Sequence, residues 1–352
     1  MRSPLVIRAD AAGTMGTGHI MRCLALAQEW QDRVGNVIFA YASAPEPLVG
    51  RLRNQGMQTV CLSVTPVSRE QARETAALAQ NVGAPWIVVD GYGFNAEYQC
   101  ELKCGATKIL VVDDDGRCDS PYADLILNQN AFAPEALYRT RSCSARLLLG
   151  NPYILLRREF TVRWSDWKRA IPKVARRVLL SMGGTDPDHL ALRFMQVFAP
   201  ASLRGVQVDV VVGPGSSDRF AIEQIAKQSD GRFRVYSDPP DLPQLMSKND
   251  VAVIAAGGTL WELLFMGCAV LSFARYDVQQ EILQGLERRE IVQYLTRAAE
   301  LERANIATRL GNLLRSPALR ATMSENARHL VDGRGAERVV QMMCGFQEHV
   351  RP

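Results

Sequence analysis

The feature that most constrains this chain is an alternation, met twice, of short apolar runs with longer segments of helical period. The first series of runs is Leu5–Arg8, Val37–Tyr41, Thr59–Val64, Trp86–Asp90, Lys108–Val112, Leu125–Leu127 and Arg146–Leu149. The second is Val178–Met182, Val206–Val212, Arg232–Tyr236, Val251–Ala255 and Ala269–Phe273. Between runs, apolar residues recur three or four apart, as at Ile20, Cys23, Leu24, Ala27 and Trp30, which is one face of a helix. Strands separated by helices predict parallel sheets covered on both sides, the α/β class. The two series part at a segment rich in Arg, Lys and Trp, with Pro172 near its end. The expectation is therefore two Rossmann-like domains facing a cleft, 1–160 and 178–352, joined by a linker at 161–177. The tail from Leu301 onward is expected to be helical and polar-faced. The chain's 352 residues suit two such domains, at roughly 150 residues each. Open α/β sheets hold ligands at the carboxyl ends of their strands.

Charge and cysteine content remove several function classes. A formal net charge of +4 is too weak to argue for nucleic acid, and no zinc-finger, RRM-like or Walker pattern is present. Cys23, Cys61, Cys100, Cys104, Cys118, Cys143, Cys268 and Cys344 form no CxxC pair. Most lie in apolar runs, as buried thiols do. Cys100 and Cys104 are four apart but lack partners for a metal site, so no metal and no cofactor are expected. The opening residues read as a strand and not a signal peptide, and no apolar run approaches the ~20 residues of a membrane span. The expected setting is the reducing cytoplasm.

Three glycine loops follow strands and open helices. The first is Gly13-Thr14-Met15-Gly16-Thr17-Gly18-His19. Free N–H groups at the helix head point into such a loop, and the helix dipole there disfavours an imidazolium. His19 is thus a candidate general base. The loop lacks the Lys-Ser/Thr ending of a P-loop. It also lacks the order of a dinucleotide fingerprint, with Met21 where the last glycine belongs. The second is Ser181-Met182-Gly183-Gly184-Thr185-Asp186, a candidate diphosphate cradle. The third is Ala256-Gly257-Gly258-Thr259-Leu260-Trp261-Glu262, where Glu262 either serves the first helical turn or reaches the vicinal hydroxyls of a ribose.

Taken in order, these stretches resemble one family: the UDP-sugar hydrolase of the pseudaminic-acid pathway and its spore-coat polysaccharide relatives. The resemblance rests on Arg8-Ala9-Asp10, the run from Gly16 to Ala27, Val88 to Tyr92, Val112-Asp113-Asp114, and Leu125 to Asn130. It continues through Leu147 to Phe160, Ser181 to Pro187, Ala255 to Glu262 and a closing Asp332-Gly333-Arg334-Gly335-Ala336. It implies a two-domain GT-B fold and release of UDP and a free deoxy amino sugar by water attack at the anomeric carbon. It maps His19 to the catalytic base and Asp10, Gly16, Thr17, Gly18 and Tyr92 to the sugar side. It maps Gly183, Gly184, Thr185, Asp186, Gly257, Gly258, Thr259 and Glu262 to the UDP site. A nucleoside diphosphate is a good leaving group, so one base and positive helix ends suffice. Paired carboxylates are not needed, and Asp113 and Asp114 are read as strand-end caps.

The chain departs from the family at Tyr276-Asp277-Val278-Gln279-Gln280-Glu281. Where the family carries Asn-Gln against the sugar, either Val278 stands at the Asn position or a one-residue shift places Gln279 there. Gln279 and Gln280 are taken as the sugar contacts. His189 stands near a position often occupied by Asn. Two other readings remain beside hydrolysis: a GT-B glycosyltransferase using a UDP-sugar donor, and a non-catalytic nucleotide-sugar binding module. The basic and aromatic stretch 157–177 either rests on an anionic membrane or is a solvated linker with Trp164 and Trp167 packed between domains. The oligomeric state is left open.

Overall fold

The computed structural model describes residues 3–11, 16–63, 67–103, 105–116, 119–138, 144–198, 203, 205–239 and 241–348. Gly13, Thr14 and Met15 of the first loop, with Val64, Cys104, Cys118 and Cys143, lie outside them. The chain forms two compact units, Met1–Arg158 with Gly333–Pro352, and Glu159–Asp332.

The first unit is built on a parallel sheet of β1 (Leu5–Ala9), β2 (Val37–Tyr41), β3 (Gln58–Cys61), β4 (Trp86–Asp90), β5 (Lys108–Val112), β6 (Leu125–Asn128) and β7 (Arg146–Leu149). Its strand order is β3-β2-β1-β4-β5-β6-β7. The two-residue period of β1 sends Leu5, Ile7 and Ala9 to one face and Val6 to the other. The Leu5 face is covered by helix Gly18–Arg33 and by Val339, Val340 and Met343 of the closing helix. The Val6 face is covered by Ala72, Ala76 and Ala79 of helix Arg69–Val82. The second unit repeats the plan with β8 (Arg177–Ser181), β9 (Gln207–Val212), β10 (Phe233–Ser237), β11 (Val251–Ala255), β12 (Ala269–Ala274) and β13 (Val292–Arg297), in the order β10-β9-β8-β11-β12-β13. In each sheet the order reverses once, between β1 and β4 and between β8 and β11. Beyond the carboxyl ends of such a pair, diverging connections leave a crevice for ligand.

Three expectations are corrected. The closing helix Gly335–Glu348 belongs to the first unit, not to the second domain with the rest of 178–352. Its apolar stripe completes the first core, and Trp86 Nε1 donates to the Met343 carbonyl at 3.2 Å. Gly335 explains part of the closing motif, because a Cβ there would lie 2.1 Å from the Ile154 carbonyl oxygen. Residues 161–177 are not a separate linker. Helix Arg158–Trp164 opens the segment, Arg169 donates to the Met246, Asn249 and Met266 carbonyls, and the Trp167 and Pro172 carbonyls accept from Arg328 and Arg320. Finally, β13 was not among the expected strands. Its sequence Val-Gln-Tyr-Leu-Thr-Arg mixes polar and apolar residues because it lies at a sheet edge. No helix among the described residues is long and apolar enough to cross a membrane. Cys23 and Cys268 are buried, whereas Cys61 and Cys100 are exposed, against the expectation for most thiols.

Candidate active site

In the first unit the carboxyl ends of β1 and β4 bring His19, Asp90 and Tyr92 together. Helix Gly18–Arg33 starts behind Thr17, whose side chain makes no capping hydrogen bond, and has no acidic residue in its first turn. His19 is its second residue and is 8% exposed. Asp90, the last residue of β4, is fully buried. His19 Nδ1 lies 2.6 Å from Asp90 Oδ1 and 3.1 Å from Arg22 Nη2; the nearer group is a carboxylate oxygen, which only accepts and so favours the tautomer with the proton on Nδ1. Nε2 then holds the lone pair, and it has no hydrogen-bond partner among the described residues. Tyr92 is 65% exposed and stands edge-on to the imidazole, with ring centroids 5.3 Å apart.

Arg22, one helical turn after His19 and on its face, grips the other side of this carboxylate. Its Nε donates to Asp90 Oδ2 and its Nη2 to Oδ1, both at 2.6 Å, and Nη1 donates to Asp114 Oδ1 at 2.5 Å. Cys23 Sγ adds a contact to Asp90 Oδ2 at 3.2 Å. Burial pushes the Asp90 carboxyl up, but the Arg22 charge and His19 outweigh it, and the net pKa falls below the usual aspartate range. Burial likewise works against the Arg22 charge and is overcome by Asp114 and Asp90. The Cys23 thiol is pushed up by burial and by Asp90, so it stays protonated and is no nucleophile.

Other residues on this side turn out to hold the scaffold. Asp10 Oδ2 accepts from Arg8, and Oδ1 accepts from the Ala42 and Ser43 amides. Its carboxylate thereby joins the loops after β1 and β2. Asp113 Oδ1 accepts from the Asp115 and Gly116 amides, a turn cap as expected. Gly16 has a φ of 71° that glycine adopts without strain. Gly18 begins the helix.

In the second unit the loops after β8 and β11 flank the reversal point. Gly183 takes a φ of 89°. Gly213 lies so close that a Cβ on it would sit 2.3 Å from the Gly183 carbonyl oxygen, and Gly215 donates its amide to Gly184 O. Asp186, expected at the diphosphate, is buried. Its oxygens accept from the Leu190 and Ala191 amides, capping helix Leu190–Val197, and Arg275 Nη2 donates to it at 3.0 Å. His189 precedes that helix in the left-handed conformation and pairs with Asp218 at 2.7 Å. Gly257 has an extended φ of −158°, and a Cβ on Gly257 or Gly258 would meet nothing within 4 Å. Neither backbone nor packing demands glycine at these two positions; what glycine leaves there is open access to the helix head and Thr259. Glu262 is buried and opens the second turn of helix Gly258–Phe265, so it is not an N-terminal cap.

Gln279 and Gln280, expected to face the sugar, both have partners within the second unit. Both ends of the Gln279 amide are engaged within the second unit, with the Arg275 amide and the Ala256 carbonyl. Gln280 Oε1 accepts from Arg297 at 3.3 Å. Val278 is half-buried on the same turn. Sequence reasoning gave no role to Asp90 and Arg22, and it read Asp114 as a strand-end cap, whereas Asp114 accepts from Arg22. The available signal was an arginine within the apolar first half of helix Gly18–Arg33, between Ile20 and Leu24. Among the described residues, no cluster of His, Cys, Asp and Glu could hold a metal ion.

Solved structures with this architecture decide the fold. MurG of Acinetobacter baumannii superposes with a TM-score of 0.66 at 14% identity, covering 97% of this chain and 99% of that one. Anabaena Alr3699/HepE in complex with UDP-glucose superposes with a TM-score of 0.63 at 13% identity, covering 99% and 100%. The fold is GT-B. No family model matches this GT-B chain. It resembles the UDP-2,4-diacetamido-2,4,6-trideoxy-beta-L-altropyranose hydrolase of Campylobacter jejuni, 25% identical over 266 residues, 74% of this chain and 88% of that protein. It also resembles the spore coat polysaccharide biosynthesis protein SpsG of Bacillus subtilis, 21% identical over 97% of this chain and 98% of that protein. An uncharacterized protein of Methanocaldococcus jannaschii is 22% identical over 79% of this chain, which spans only 57% of its length.

Proposed function

We propose that this GT-B chain hydrolyses a UDP-linked deoxy amino sugar to UDP and the free sugar, in the synthesis of a nonulosonic acid such as pseudaminic acid or a related surface glycan. The observation that carries the reading is the His19–Asp90 pair. With the Nδ1 proton directed at Asp90, Nε2 is the nitrogen left to act as base, on an imidazole that packs against the Tyr92 ring just past the carboxyl end of β4. A fixed tautomer is what a general base requires and what simple binding does not.

In the proposed reaction a water gives its proton to His19 Nε2 as its oxygen bonds to the anomeric carbon. The bond from that carbon to the β-phosphate oxygen breaks, and its electron pair leaves with UDP. Attack from the face opposite the leaving group inverts the anomeric centre. Gly183, Gly184, Thr185, Gly257, Gly258 and Thr259 are assigned to the diphosphate, whose developing charge is stabilised by N–H groups at the head of helix Gly258–Phe265. Glu262 is assigned to the ribose, and Gly16, Thr17, Gly18 and Tyr92 to the sugar. No metal is required by this scheme. The likeness to the Campylobacter hydrolase supports the substrate class.

The test is to supply UDP-2,4-diacetamido-2,4,6-trideoxy-β-L-altropyranose and follow UDP and sugar by NMR. Steady release of both, with the inverted anomer appearing first and no effect of EDTA, is expected. Binding of UDP without turnover of this or related UDP-sugars would overturn hydrolysis in favour of a binding module. Release only on addition of an acceptor would assign a glycosyltransferase.

A further inference from the structure

The segment from Arg275 to Gln280, where the resemblance implied sugar contacts, ties loops of the second unit together. The loops after β8, β11 and β12 lie side by side, because these strands are neighbours in the sheet. Arg275, just past β12, reaches the first of them. Its Nη2 donates to Asp186 Oδ1 at 3.0 Å, its Nε to Asp188 Oδ2 at 3.0 Å and its Nη1 to the Met182 carbonyl at 3.4 Å. Gln279 reaches the second. Its Oε1 accepts from the Arg275 amide at 2.8 Å, and its Nε2 donates to the Ala256 carbonyl at 2.5 Å. One partner offers N–H and the other C=O, so the orientation of the amide is dictated by its surroundings.

The bond to Ala256 bears on the residue after it. A trans peptide is planar, with its C=O and N–H pointing in opposite directions. Holding the Ala256 oxygen toward Gln279 therefore aims the Gly257 N–H the other way. Without that hold the peptide has two orientations. Flipping it would carry Gly257 from its φ of −158° to a positive φ, which glycine alone tolerates without penalty. The same lack of a side chain that opens this loop to a ligand also makes its peptide free to turn over.

We propose that Gln279 is a positioning residue that locks the Ala256–Gly257 peptide, so that the Gly257 N–H is a fixed donor to the diphosphate of the nucleotide. Arg275 ties that donor to the loop of Gly183 and Gly184. This rests on the UDP reading above and deepens it. Glutamine is specific to the task. Glutamate accepts from Arg275 but cannot donate to Ala256, and methionine fills the space with neither bond.

The experiment uses the full chain as wild type, Gln279→Met and Gln279→Glu, titrating UDP by calorimetry and uridine by ligand-observed NMR. Both variants are expected to lose UDP affinity by about 10- to 100-fold, the worth of one hydrogen bond to a charged group. Uridine affinity stays unchanged. If UDP binds all three proteins equally while KM for the UDP-sugar rises, Gln279 contacts sugar and the lock is wrong. Equal loss of UDP and uridine affinity would also overturn it, since that reports a loosened domain and not a phosphate donor. A wild type that fails to bind UDP overturns the UDP reading itself, an outcome distinct from either.

Discussion

His19 Nδ1 and Asp90 Oδ1 lie 2.6 Å apart, and the same carboxylate accepts two further hydrogen bonds from Arg22. Asp90 is thus shared between an imidazole that it orients and a guanidinium that keeps it ionised. Such a carboxylate steers the tautomer of the base without taking its proton.

Asp90→Asn tests this directly. The amide retains the shape of the side chain but can present N–H to Nδ1, which favours the tautomer with the proton on Nε2. Turnover is expected to fall by roughly 10²–10⁴-fold while UDP affinity is unchanged. Steady-state kinetics and UDP titration measure the two. A comparable loss of UDP affinity would mean that the pair is structural.

Arg22→Met removes the counter-charge from two carboxylates, one fully buried and one 24% exposed. Breaking one partner of a buried ionic network costs about 3–5 kcal/mol, so the urea midpoint at pH 7 should fall markedly. Adding Asp90→Asn to that variant should recover part of the loss, because the stranded buried charge is gone. Strictly additive effects of the two substitutions would contradict the coupling.

The pH dependence of stability follows from the sign of the Asp90 shift. Its folded pKa lies below the ordinary value of 3.8, so the folded state favours the ionised form. That contribution is fully present above about pH 4 and is lost as pH falls further toward the folded pKa. Wild type should therefore exceed Asp90→Asn in stability near pH 5. The margin should shrink below pH 4. Denaturant melts at successive pH values read this; a margin that grows on acidification would refute it.

Gly258→Ala separates stability from function. With nothing within 4 Å of the added methyl group, alanine at this first helical position should raise stability by about 0.4–1 kcal/mol through the unfolded state. The methyl group also stands over the helix head, and UDP affinity should drop. Unchanged affinity would remove Gly258 from the nucleotide site.

Gly335→Ala carries the opposite expectation for stability. Its Cβ would lie 2.1 Å from the Ile154 carbonyl oxygen, backbone against backbone, so the closing helix must shift. A loss of about 1–3 kcal/mol is expected, read as a lower thermal midpoint. An unchanged midpoint would show that the helix docks with slack.

What the sequence determined by itself was the periodic and the local. Alternating strand and helix patterns fixed two parallel α/β sheets, and β2, β4, β5, β7 and β11 begin and end where their apolar runs do. The first and third glycine loops were legible as helix heads after strands, because a tight turn and an open backbone both leave glycine in the text; the second does not open a helix, which begins only at Leu190. Only the tertiary structure decided what depends on residues far apart in the chain meeting in space. Arg22 finds Asp90 sixty-eight residues away, Gln279 finds Ala256 across the sheet edge, and the closing helix returns to cover the first core. Asp10 and Gln279 looked like ligand contacts because their type and neighbours allow it. The structure engages both in hydrogen bonds that join loops, since a polar group near a sheet edge is satisfied by whichever backbone the topology brings beside it.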